Sequence, residues 1–238
     1  MKKKVLITAL AVALIAIMVG GSLAYFTDND EVTNTFTIGS VEIEIHENGK
    51  LVEGETLVMT DVLLPVVGKN PEETTDNYGQ KQVTVMNTGK NSAYVQVFVA
   101  IPKELDDANV LEIWDNYPDS ENYDWVRYGV VGTMTDASGL VCNVYRFDYQ
   151  YEVPAGKETK SEAMEYVYLT PSTDLNVYRD GEGNVKAAYL VDEKGNELTS
   201  VDASKPLPVY VYARAIQAEG FADAATALDS GFGKTLPW

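Results

Sequence analysis

The sequence predicts an all-β protein, a single antiparallel β-sandwich with short helical insertions, from three observations. Apolar residues recur with period two along most of the chain, clusters of Asn, Asp and Gly punctuate them, and no Pro- or Ser-rich linker or solenoid-length repeat divides the chain. With Cys142 as its only cysteine, the fold has no internal disulfide and rests on a buried core, which a chain of 238 residues is long enough to form.

The elements follow in order. Val83 and Val85 alternate with Gln82 and Thr84. Val95, Val97, Val99 and Ile101 alternate with Tyr94, Gln96, Phe98 and Ala100, a run apolar enough on both faces to be a central strand. Asn87-Thr88-Gly89-Lys90-Asn91 between them reads as a hairpin connection. Pro102–Trp114 has a proline start, early acids and an apolar side at Val110, Leu111 and Trp114, which predicts a short helix. Val141, Tyr145, Phe147 and Tyr149 share one face with Asn143, and Tyr166–Leu169 forms another β-rich run. Asp180-Gly181-Glu182-Gly183-Asn184 joins Leu175–Arg179 to Val185–Val191 as a hairpin. Val209, Val211, Ala213 and Ala215 alternate with Tyr210, Tyr212, Arg214 and Ile216. Phe221–Leu228 is an alanine-rich helix expected to stop before Gly231, and Asn70–Gly79 reads as a polar loop.

The N-terminus carries the address. Lys2, Lys3 and Lys4 precede an uncharged apolar run, Val5–Val19, and small residues follow, with Ser22 at minus three and Ala24 at minus one from a cleavage site before Tyr25. The run is shorter than the ~20 residues of a spanning helix, so a signal peptide over 1–24 is expected in preference to a retained anchor. No cysteine follows it to take a lipid, and Gly233–Trp238 offers no second anchor, so no membrane association is expected after processing. Residues 25–40 form an arm or first strand and 41–238 the sandwich.

Charge narrows the partners. Against 18 Lys and Arg stand 36 Asp and Glu, a formal charge of −18 that deepens once the three N-terminal lysines are removed. Nucleic acid and anionic membranes are expected to be poor partners on electrostatic grounds, so neither is expected to bind, and self-association should respond to salt and cations. No cofactor is expected: calcium, which so acidic a surface could attract, finds no EF-hand spacing in Asp28-Asn29-Asp30-Glu31 or Asp180–Asn184.

Catalytic motifs are weak. Catalytic zinc commonly takes two or more histidines, and this chain has only His46, at a strand end. Cys142 sits in an apolar stretch and is expected to be a buried small hydrophobe. No nucleophile elbow or phosphate loop is present. Tyr145, Tyr149, Tyr151, Tyr166 and Tyr168 would offer stacking faces to a glycan if exposed, whereas core and interface roles are the commoner use of tyrosine.

Phase changes between the arm and the body. Val32, Phe36 and Ile38 occupy even positions, while Val41, Ile43 and Ile45 occupy odd ones, so one continuous strand cannot keep both sets on one face. Gly39-Ser40 is the hinge where the chain bulges, bends or changes sheet. Two readings follow: an ordinary kinked first strand, or a detachable arm over 25–38 that completes a neighbouring molecule's sheet through main-chain hydrogen bonds, with pockets for Val32, Phe36 and Ile38.

Three segments carry a resemblance. Gly20-Gly21-Ser22-Leu23-Ala24-Tyr25-Phe26-Thr27-Asp28 with Asn34-Thr35-Phe36-Thr37-Ile38-Gly39, the stretch Val83–Gly89 with Ala93-Tyr94-Val95, and Val211–Phe221 are similar to the TasA/camelysin family of secreted Gram-positive biofilm matrix proteins. The resemblance implies a jelly-roll sandwich, cleavage by a SipW-type signal peptidase, an extracellular or cell-surface location, and self-assembly into homopolymeric fibres by donation of the N-terminal strand. It also implies a second activity, since camelysin is described as a metalloendopeptidase; the single histidine argues against that for this chain.

Overall fold

The structure, a computed structural model, describes residues 27–29, 41–52, 57–59, 78–114 and 124–238. Among these, strands form two antiparallel sheets and a smaller third one. The first sheet runs in the order β1 (Thr27–Asn29), β15 (Leu207–Gln217), β6 (Ala93–Pro102), β9 (Val141–Tyr149), β8 (Trp125–Thr135), with β4 (Leu57–Met59) also on β15. The second runs β3 (Lys50–Leu51), β2 (Ile43–Glu47), β5 (Tyr78–Asn87), β11 (Met164–Leu169), β7 (Leu111–Trp114), with β10 (Lys157–Glu158) on β5. The third holds β12 (Asp174–Arg179), β13 (Val185–Val191) and β14 (Glu197–Leu198).

The alternation read from the sequence sets the core. Val95, Val97 and Val99 from one sheet meet Ile43, Val83 and Val85 from the other in one apolar cluster, which Leu190 and Leu198 of the small sheet join. Each such side chain contributes about 1.5–3 kcal/mol when removed from water. As expected for a central strand, β6 lies between β15 and β9 with all ten residues buried. Its second face is covered by helix α2 (Ala224–Phe232), through Tyr94, Ile216 and Leu228, and by a further cluster of Phe98, Cys142, Tyr212 and Leu236.

Four expectations are corrected. Asn87–Asn91 is no hairpin turn, because β5 and β6 belong to different sheets. The buried Asn87 side chain donates to the carbonyls of Asn91 and Val153 and accepts from the Gly89 N–H, which makes a corner between layers. Only Lys103–Asp107 of Pro102–Trp114 is helical, here α1. Asn109 adopts a left-handed φ of 52°, which ends it, and Leu111–Trp114 pairs with β11. Helix α2 begins later than expected, where the Asp223 carboxylate accepts from the Thr226 N–H, and continues through Gly231 to a positive-φ Gly233. Of the polar loop, Tyr78 and Gly79 open β5 and the remainder lies outside the described residues. The Asp180–Asn184 hairpin forms as expected, with Asp180 accepting from the N–H groups of Glu182 and Asn184.

Candidate assembly edge

The outer edge of β15 is where N-terminal chain meets the body. Thr27, Asp28 and Asn29 pair antiparallel with Ile216, Ala215 and Arg214. Further along the same edge, Leu57, Val58 and Met59 pair with Val209, Pro208 and Leu207. The detachable-arm reading expects these backbone groups to pair only in a polymer; residues 27–29 instead pair within their own chain. Main-chain pairing of this kind is indifferent to whose strand supplies it, which is the basis of strand addition and of swapping.

Polar side chains tie β15 to β6 and β9 within its own sheet. Gln96, fully buried on β6, accepts from Arg214 Nε at 2.7 Å and donates to Asp148 Oδ1 at 2.7 Å. Arg146 donates to both oxygens of Asp148, at 2.8 and 2.5 Å. The Arg214 guanidinium stacks 4.8 Å from the Phe98 ring centre and 4.2 Å from that of Phe232, and burial pulls its pKa down to about 10. The chain end closes over the same face: Trp238 meets Phe98 and Tyr212 edge-on, and Leu236 packs where a Cβ on Gly132 would come within 2.6 Å of it. This network and β4 escape sequence reading; Gln96 and Arg214, polar residues in otherwise apolar strands, are the signal for the first.

The body begins in the expected phase, with Val41, Ile43 and Ile45 buried and Glu42 outside. The cleavage residues Ser22, Ala24 and Tyr25, the arm residues Val32, Phe36 and Ile38, and the hinge Gly39-Ser40 lie outside the described residues.

The alternative sites fare as follows. His46 Nδ1 is 3.0 Å from Glu158 and Nε2 is 3.8 Å from Glu44. The two ring nitrogens point in opposite directions, so these carboxylates flank the imidazole and do not converge with it on one point. Thr84 donates to the same Glu158 oxygen. Among the described residues no group of three or more His, Cys, Asp or Glu is placed to hold a metal. Cys142 is buried as expected, and burial pushes its thiol up to about 12, far from a nucleophile. Of the five tyrosines, Tyr149 and Tyr166 are buried, Tyr145 donates to Asp106, Tyr168 donates to Glu112, and Tyr151 alone is exposed, so they form no common stacking face.

A family model described as camelysin metallo-endopeptidase matches residues 1–65. This N-terminal segment, 65 of the 238 residues, is thus similar to that family, in agreement with the resemblance in its residues. No curated protein and no solved structure matches the chain.

Proposed function

We propose that this protein is a secreted structural subunit of extracellular matrix fibres, which assembles by exchanging its N-terminal strand between copies. The observation that carries the proposal is the β1–β15 ladder: a three-residue strand next to the expected cleavage site occupies the edge of a strand that is otherwise buried and locked. A ladder so short is readily given up, and the same pairing in trans joins one subunit to the next. The family match at residues 1–65 supports the reading, because it spans the expected signal peptide and the expected arm. Removal of 1–24 would leave Tyr25 first, with the arm free to leave its own subunit.

The metalloendopeptidase reading draws on the family description. The divergent carboxylates around His46 weigh against it, and we propose no metal-dependent cleavage: casein digestion by the purified protein that stops with chelator or with His46→Ala would overturn this.

The exchange is tested with paired cysteines at Thr27 and Ile216, which are partners in the ladder. Fibres assembled under reduction and then oxidised should run as a ladder of covalent oligomers on a non-reducing gel. Fibres whose cross-links are all within single chains would contradict exchange.

A further inference from the structure

We propose that β12 is a second assembly edge, at which two copies of this chain pair antiparallel about a two-fold axis. All six of its residues are exposed, and on one side only, toward β13, does it have a ladder partner among the described residues. Leu175 and Val177 point to the same face as their partners Leu190 and Ala188, which are buried, yet they remain 46% and 42% exposed. They form an apolar strip that stops at the free edge. Proteins usually blunt such edges with charge, proline or bulges. The long edge strand β8 is blunted in this way by register shifts at Tyr128/Val130 and Val130/Gly132, whereas the single shift in β12 falls at its last pair, Tyr178/Arg179.

A second copy fits this edge by charge and by register. Strands that pair antiparallel bring the Asp174 end of one beside the Arg179 end of the other, so two strongly acidic molecules can meet at this edge with opposite charges side by side. A two-fold axis perpendicular to the sheet pairs only residues of equal parity. Centred on Asn176, it sets Leu175 against Val177 of the second copy, twice. Centred on Val177, it would set Asp174 against Asp180 of the second copy, like against like. The first register is the one assigned. This edge is separate from β15 and does not depend on exchange of the arm.

The test is disulfide trapping of the mature chain at dilution, with Asn176→Cys at the axis and Glu182→Cys, an exposed turn position, as the control. Mild oxidation should give covalent dimer about tenfold faster for Asn176→Cys than for the control, because pairing raises the local thiol concentration. Adding Val177→Lys, an exposed change that leaves the fold intact by circular dichroism, should remove the advantage. Equal rates for the two single variants, or an advantage that survives Val177→Lys, would overturn the proposal.

Discussion

Gln96 shows how much one side chain can carry when it is buried between charges. It is the acceptor for Arg214, itself only 4% exposed, and the donor to Asp148. Gln96→Leu would keep the volume and leave the buried Arg214 guanidinium short of an acceptor, while Asp148 keeps its two bonds from Arg146. The expected loss is about 2–4 kcal/mol in denaturant unfolding; a loss below about 1 kcal/mol would show that the network is dispensable. Asp136 makes a different, pH-dependent contribution. Its carboxylate accepts from the Ser138 hydroxyl, the Tyr210 phenol and the N–H groups of Ser138 and Leu140, which hold its pKa at about 2 against an ordinary 3.8. Because the folded value is the lower one, the stabilisation is full above about pH 4 and disappears as pH falls through about 2. Asp202, held down by Ser204 and the Ala188 N–H, acts in the same direction. Asp136→Asn should flatten the fall in stability between about pH 4 and 2. An unchanged acid slope in urea titrations would contradict the assignment.

At the scale of elements, what the sequence conveyed was period, and what it withheld was partner choice. The position of β6 was legible because Val95–Ile101 is apolar on both faces, which only a central, doubly covered strand requires. The destination of the chain after Asn87 was not, because an Asn-x-Gly turn signal is the same whether the next strand returns to its own sheet or crosses to the other. The deciding contact is with Val153, distant in sequence. Asn87→Ala should therefore cost about 2 kcal/mol, since three hydrogen bonds at the corner are lost while the Val153 carbonyl keeps the Ala93 N–H and the Gly89 N–H keeps the Glu42 carbonyl; thermal unfolding at the wild-type temperature would refute the corner's importance. The same limit explains α1 and β7. Early acids and a proline predicted one helix, but Asn109 at φ 52 breaks it and pairing with β11 claims the remainder. The β15 edge was legible only in part: the alternation of Val209–Ile216 pointed to a strand, the phase change at Gly39-Ser40 left a kinked first strand and a separate arm both open, and the pairing of Thr27–Asn29 with residues 214–216 needs the folded chain.

For the whole molecule, the account joins a self-contained sandwich to an exchangeable terminus. Among the described residues the apolar cluster between the sheets is built from Val41 onward, which gives the body a source of stability of its own. On the proposed reading its excess of acid opposes association, and salt that screens this repulsion should favour growth. The central claim is that the arm links subunits and is not needed to fold them. The direct measurement is to compare the mature chain with a variant lacking residues 25–38, by thermal unfolding, sedimentation and electron microscopy. The account predicts a folded monomer with nearly the melting temperature of the mature protein and no fibres. A truncated chain that still grows fibres of normal length, or one that no longer folds, would contradict it.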